Sequence, residues 1–244
     1  MNNKKIAVII QARTTSTRLP KKVLKDINGK PMLWHIINRL KFSKKLDDII
    51  LAIPDTKENN VLEKFAKDNK IKYFRGSEED VLSRYYETAK KFKCNIIIRI
   101  TSDCPLIDSG VVDLVIEKHL NSDADYTSNV QIRTYPKGMD VEVLNFQTLK
   151  KAHDETNDPA NREHVTLYIR KHPNIFKQTN VINNQNLSSM RWTVDEKKDL
   201  ELIRRIYNKL YRKGKIFSMP EILKLLEKEP GLLEINKKIK RKTI

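Results

Sequence analysis

The sequence predicts an α/β protein with a mostly parallel sheet covered by helices on both faces. Strand-length apolar runs at 5–11, 47–53 and 95–101 alternate with amphipathic stretches of helical period in the first half. At 244 residues, with 39% apolar and 32% charged residues, the chain can bury a large core beneath a wet surface. No repeat, Gly/Ser-rich linker or sharp change of composition divides it. One domain over 1–244 is therefore expected, with a substrate-binding or lid insertion around 130–190 and a basic tail at 235–244.

Each element follows from local signals. Ile6, Ala7, Val8, Ile9 and Ile10 read as a buried first strand. Pro31 suits a first helical turn, and Met32, Trp34, Ile36, Ile37 and Leu40 continue with helical spacing. The strand 47–53 stops at Pro54; a helix at 60–70 and a short strand at 71–74 follow. The stretch 78–92 has acids early and lysines late, as the helix dipole favours. A strand at 95–101 leads to a helix near Asp108, whose side chain suits an N-cap. The second half is less regular. Residues 140–145 alternate like a strand, 161–171 reads as a helix ending before Pro173, 191–196 as a strand end, and 196–211 and 218–228 as helices.

Composition narrows the function. No apolar run is long enough to span a bilayer. The N-terminus has only five apolar residues before Gln11 and no small-residue cleavage site, so a cytoplasmic protein with no membrane partner is expected. Cys94 and Cys104 have neither metal-ligand nor disulfide-framework spacing. The net charge of +17 invites a nucleic-acid reading, but the lysines are spread along the chain among Asp and Glu. Only Lys237 to Lys242 form a dense cluster. Nucleic acid is thus not the expected partner, although the charge can attract anionic nucleotides.

Four constellations carry chemistry. In the first, a polar segment with Arg13, Arg18, Lys21 and Lys22 follows the first strand. Ligands of open α/β sheets bind beyond the carboxyl ends of strands, and such cations can hold a triphosphate or form a solvated basic turn. The segment has neither GxxxxGK[ST] nor GxGxxG. The second is 99–108, where Asp103 follows an isoleucine-rich strand and so reaches the same sheet edge. In the third, 191–201, Asp195 either caps the next helix or meets Asp103; two carboxylates shared with phosphates suit Mg²⁺. The fourth joins 134–143 to 161–166. Gly138 permits close backbone approach, Asp140 and Glu142 share a strand face, and Arg162, Glu163 and His164 cluster at a helix head. Those groups suit a hydroxylated or anionic acceptor, or an ordinary surface ion network.

The segments QARTTSTRLPKKVL, FRGSEEDVLSRYYE, RITSDCPLID, YPKGMDVEV, NREHVT and RWTVDEKKDLE, in this order, resemble the cytidylyltransferases, specifically the group of the spore-coat polysaccharide protein SpsF, related to synthetases of CMP-linked sugar acids. The resemblance implies a doubly wound, GT-A-like fold. It also implies Mg²⁺-dependent (or Mn²⁺-dependent) transfer of CMP from CTP to a sugar acid, sugar phosphate or related small acceptor, with release of pyrophosphate, in surface polysaccharide or glycoconjugate synthesis. Carried over, Gln11, Ala12, Arg13, Arg18, Lys22, Gly76, Ser77, Asp80, Arg84 and Ser102 bind nucleotide. Asp103 and Asp195 hold the metal and act with Arg13 and Lys22 in catalysis. Tyr135, Gly138, Asp140, Glu142, Arg162, Glu163 and His164 face the acceptor. A homodimer is a further expectation. The chain departs from the pattern at Thr15, Lys21 and Ser102, where the family usually has Gly. Two rival readings remain: a glycosyltransferase of the same fold, disfavoured because Asp103-Cys104-Pro105 is not DxD, and a basic nucleic-acid-binding protein.

Overall fold

The computed structural model describes residues 4–239; the last five residues of the basic tail expected at 235–244 lie outside the described residues. In chain order the elements are β1 (Ile6–Gln11), β2 (Asp26–Ile27), β3 (Lys30–Pro31), α1 (Met32–Leu40), β4 (Asp48–Pro54), α2 (Asn60–Asp68), β5 (Lys72–Gly76), α3 (Val81–Lys91), β6 (Ile96–Thr101) and α4 (Ser109–Leu120). There follow β7 (Tyr126–Ser128), β8 (Glu142–Asn145), α5 (Phe146–Glu155), α6 (Pro159–Glu163), α7 (Leu167–Lys171), β9 (Gln178–Asn180), α8 (Lys197–Leu210), α9 (Met219–Lys228) and α10 (Gly231–Glu234).

A seven-stranded sheet in the order β5-β4-β1-β6-β8-β7-β9 organises the molecule. Strands β5, β4, β1 and β6 are parallel. Strand β8 runs against both β6 and β7, and β9 is parallel to β7. The segment expected as an insertion thus supplies β8 and β9 to the central sheet. The pleat sends alternate side chains to opposite faces. Val8, Ile10, Ile98 and Ile100 join one core with α1, α2, α4, α8 and α9. Ala7, Ile9, Ile97 and Leu144 join the other, beneath α3, α5 and α7. The small β2–β3 hairpin turns at Asn28 and Gly29, both at positive φ, as a tight hairpin requires. Among the described residues, no helix is long and apolar enough to cross a membrane.

The structure departs from the sequence reading in the second half. The expected helix over 161–171 is two short helices, α6 and α7, broken where Val165 adopts φ 48°. The stretch 191–196 is no strand; one bridge ties Arg191 to Lys137. Strands β7 and β9, three residues each, are too short to show a period, and α5 went unread.

Candidate active site

Strand order reverses between β1 and β6, since the chain proceeds from β1 outward through β4 to β5 and then returns to β6. The crevice beyond their carboxyl ends is the topological switch point where such sheets take ligands. The polar segment after β1 crosses it. Thr14 anchors that segment: its N–H donates to Asn59 Oδ1 (2.9 Å), its hydroxyl donates to the Glu58 carbonyl (3.1 Å), and its own carbonyl accepts from Lys21 N–H (3.1 Å). Lys21 sits in the left-handed region at φ 52°, a backbone conformation that favours glycine. The chain then enters a 3-10 turn at Lys22–Leu24 that aims Lys22 into the crevice.

Lys22 brings the two predicted carboxylates together. Its Nζ lies 3.3 Å from Asp103 Oδ2 and 2.9 Å from Asp195 Oδ1, and it donates to the Val194 carbonyl at 2.9 Å. Arg18 reaches the same Asp195 oxygen at 3.0 Å. Burial raises the Asp103 carboxyl, but the Lys22 charge and the Thr101 hydroxyl, 2.6 Å away, outweigh it and hold it down at about 2. Asp195 is lowered in the same way, burial being overcome mainly by Lys22. Burial lowers Lys22, and the two carboxylates more than reverse it.

Asp195 does not cap α8. Glu196 takes that position in a capping box with Asp199, leaving the Asp195 side chain to face the crevice. Asp199 is fully buried and accepts from the N–H groups of Asp195 and Glu196 at 3.0 Å each, from Arg191 Nε and Nη2 at 2.8 and 2.9 Å, and from Asn236 at 2.9 Å. Arg191 also donates to Asp195 Oδ2 at 2.9 Å. The residues 192–195 are fixed from the other side: Trp192 N–H donates to the Lys137 carbonyl (2.7 Å) and Val194 N–H to the Asp103 carbonyl (2.8 Å).

The 76–84 segment forms a second wall. Gly76 lies over Arg84, where a Cβ would sit 2.9 Å from the Phe74 ring and 3.3 Å from Arg84 Cγ. Arg84 is buried, which lowers its guanidinium to about 10, and it donates to the Ser77 carbonyl beneath the turn. The Ser77 hydroxyl accepts from Asp80 N–H (3.0 Å), and Asp80 caps α3 through Ser83 N–H (2.9 Å). Two links tie this wall to its surroundings. Thr15 donates to Glu78 at 2.7 Å, and Arg162 on α6 grips Asp80, with Nε 3.0 Å from both carboxylate oxygens. Arg84, Asp80 and Arg162 therefore shape the crevice through contacts to one another and to backbone.

The predicted residues divide accordingly. Lys22, Asp103, Asp195 and Arg18 converge. Arg13 is exposed on the same segment and forms no ion pair among the described residues; Ala12 and Ser102 are buried at the strand ends, and Gln11 carries a buried Oε1 with no partner. Glu163 is exposed and His164 half-buried. Three residues expected at the acceptor are engaged within the protein. Tyr135 packs in the hydrophobic core. Glu142 is interior, accepting from Arg99 Nη1 and, at 2.6 Å each, from the Tyr126 and Thr166 hydroxyls. Asp140 is held by Arg133 at 2.6 and 3.0 Å. Gly138 is a point of close approach, but to the chain itself: at φ 108°, a Cβ would lie 2.7 Å from Thr193 N and Trp192 C. Sequence reasoning missed Thr101, Arg191, Asp199 and Arg99. Only Arg99 left a signal, as a cation inside an isoleucine strand.

The family model described as cytidylyltransferase matches residues 7–239. The Bacillus subtilis spore coat polysaccharide biosynthesis protein SpsF is 33% identical over 92% of this chain and 95% of its own. The solved structure of a cytidylyltransferase from Leptospira borgpetersenii superposes with a TM-score of 0.91 at 31% identity, covering 98% of this chain and all of that one. A CMP:2-keto-3-deoxy-manno-octonic acid synthetase complexed with CTP shares the fold, with a TM-score of 0.65 at 19% identity over 84% of this chain and 99% of its own. The chain belongs to the cytidylyltransferase family.

Proposed function

We propose that the chain transfers CMP from CTP to a small hydroxylated or anionic acceptor and releases pyrophosphate, in the synthesis of surface polysaccharide or glycoconjugate. The observation that carries this reading is the Lys22 ammonium standing between Asp103 and Asp195 at the switch point. Two carboxylates that converge on one ammonium are also a suitable donor pair for one small divalent cation. Both stay ionised well below neutral pH. Among the described residues, no cluster of three His, Cys, Asp or Glu suits a metal. The donor set is thus two carboxylates with phosphate and water oxygens to complete it, which fits Mg²⁺ (or Mn²⁺). When bound, the ion neutralises phosphate charge and helps orient the triphosphate.

The chain's own residues do the rest. Arg13 and Arg18 project from the segment after β1 to take triphosphate oxygens, and Lys22 stabilises charge as pyrophosphate departs. An acceptor oxygen attacks the α-phosphorus in line. The new O–P bond forms as the bridge to the β-phosphate breaks, the electron pair leaves on pyrophosphate, and the acceptor proton passes to solvent. No side chain becomes covalently attached, so catalysis is positioning and charge stabilisation. The Gly76–Arg84 turn supports the nucleoside, and the His164 region borders the acceptor.

The test is a pyrophosphate-release screen of CTP, ATP, GTP and UTP with Mg²⁺ against sugar acids, sugar phosphates and other phosphorylated metabolites. Turnover with CTP and one acceptor class supports the reading. Transfer of a sugar from a nucleotide sugar, with no pyrophosphate from any nucleoside triphosphate, overturns it.

A further inference from the structure

The tail that begins at residue 235 is rich in lysine, and Lys237 and Lys238 are exposed, yet Asn236 is only 5% exposed. Apolar neighbours seat it. Leu232 lies in the core beneath α8 and α9, and Leu233 and Ile235 pack against that core. Asn236 then donates both hydrogens of one nitrogen. Its Nδ2 stands 2.9 Å from the Arg191 carbonyl and 2.9 Å from Asp199 Oδ1. Both neighbours are acceptors, so the group between them must carry two hydrogens on one atom, which neither a carboxylate nor an apolar side chain does.

That nitrogen closes a network that ends on Asp195. Asp199 Oδ1 also accepts from Arg191 Nε at 2.8 Å, and Oδ2 from Arg191 Nη2 at 2.9 Å and from the N–H groups of Asp195 and Glu196 at 3.0 Å each. Arg191 Nη2 is shared, since it also donates to Asp195 Oδ2 at 2.9 Å. Asp195 is thus held by one oxygen while the other, Oδ1, meets Lys22 and Arg18. Asp199 is fully buried, so an oxygen that loses the Asn236 donor draws on the guanidinium beside it rather than on water. The bond that then gives way is the one from the shared Nη2 to Asp195. A second tie joins the C-terminal helices to the segment of the other carboxylate. Asp108, five residues after Asp103, caps α4 with Oδ1 and accepts the Met219 N–H of α9 with Oδ2 at 2.6 Å.

We propose that Asn236 is a positioning residue of the metal site: acting through Asp199 and Arg191, it fixes the Asp195 carboxylate and so sets the affinity for the divalent cation that Asp103 and Asp195 would share. The start of the tail is then a working part of the site rather than an appended basic extension. Groups that hydrogen-bond a metal-binding carboxylate fix its orientation, and their loss weakens the metal. Asn236 lies one step further out, and its influence reaches Asp195 because every link from it is a hydrogen bond of 3.0 Å or less. The inference deepens the cytidylyltransferase reading and rests on its divalent-cation site.

Mn²⁺ binding to the full-length protein tests this without turnover. Water-proton relaxation at saturating CTP, with no acceptor, separates protein-bound Mn²⁺ from the free Mn-CTP complex. Asn236→Leu keeps the size of the side chain and has no donor. It should weaken Mn²⁺ by about fivefold or more, while CTP binding in EDTA, measured by calorimetry, stays within twofold. Leu62→Ala on α2 is the control for stability alone: it opens the apolar core far from the network, and should lower the urea midpoint with Mn²⁺ affinity within twofold. If Asn236→Leu does not fold, Asn236→Ala replaces it, because a smaller side chain lets water reach both acceptors; the expected Mn²⁺ loss is then about threefold or more. A smaller Mn²⁺ loss in the folded variant, an equal loss of metal-free CTP binding, or an equal Mn²⁺ loss in Leu62→Ala overturns the positioning role. Failure of the wild type to bind Mn²⁺ with CTP overturns the metal-dependent cytidylyltransferase reading beneath it.

Discussion

At the scale of single residues, Lys22 is the hinge of the account. Its ammonium neutralises two carboxylates that otherwise face each other half-buried. Lys22→Met should therefore destabilise the metal-free protein by about 2–3 kcal/mol, read by urea denaturation. Millimolar Mg²⁺ should restore more stability to this variant than to the wild type, because the ion takes the vacated place. Turnover should fall about 100-fold or more even with Mg²⁺, since a donor to the departing phosphates is gone. The four-cation segment and Asp103 were legible in the sequence because each follows a buried strand at its carboxyl end, where ligands of such sheets bind. The meeting of Asp103 with Asp195, 92 positions on, was not derivable from spacing; it depends on the Val194–Asp103 backbone contact, which no local pattern encodes. The surroundings of Glu142 were hidden for the same reason: a strand's period shows which face a side chain occupies, but not that Arg99, Tyr126 and Thr166 close around it.

At the scale of elements, the site rests on the 192–195 segment, which is not a regular strand and is held by contacts on both sides. Gly138→Ala should cost about 1–3 kcal/mol, because the residue is at φ 108° and the added Cβ meets backbone at 2.7 Å. Gly29→Ala provides the control. It is also at positive φ, 78°, but has nothing within 4 Å, so it should show the backbone strain alone and leave turnover unchanged, while Gly138→Ala displaces Asp195 and lowers kcat. Thermal melts and pyrophosphate assays on both variants check this. Asp199→Ala removes the acceptor shared by Arg191, Asn236 and two backbone N–H groups, leaving a guanidinium buried; a loss of about 3–5 kcal/mol is expected, measured by urea denaturation. Most first-half elements were readable because β1, β4 and β6 are continuous apolar runs and the helices between them each bury one stripe. In the second half β8, α8 and α9 were readable, but β7 and β9 have three residues each and Val165 breaks a helical pattern by its backbone alone.

At the scale of the whole molecule, two cores on either face of one sheet leave a crevice at the β1–β6 switch point, and charge from distant parts of the chain gathers there. Its contribution to stability depends on pH in a defined direction. Asp103 is held at about 2 and Asp195 is also lowered, so their contribution is full above the ordinary carboxylate range near 4 and is lost as pH falls through it toward 2. Lys22 is raised, so its contribution persists at every pH below the usual lysine value and is lost only above it. Urea midpoints should therefore fall between pH 5 and 3 in the wild type, and less steeply in Asp103→Asn. The most direct measurement of the central claim is pyrophosphate release from CTP and a sugar-acid acceptor, titrated with Mg²⁺, in the wild type, Asp103→Asn and Asp195→Asn. The account predicts Mg²⁺-dependent turnover in the wild type and at least a 100-fold loss in each folded variant. Near-normal, Mg²⁺-dependent turnover in either variant would contradict it.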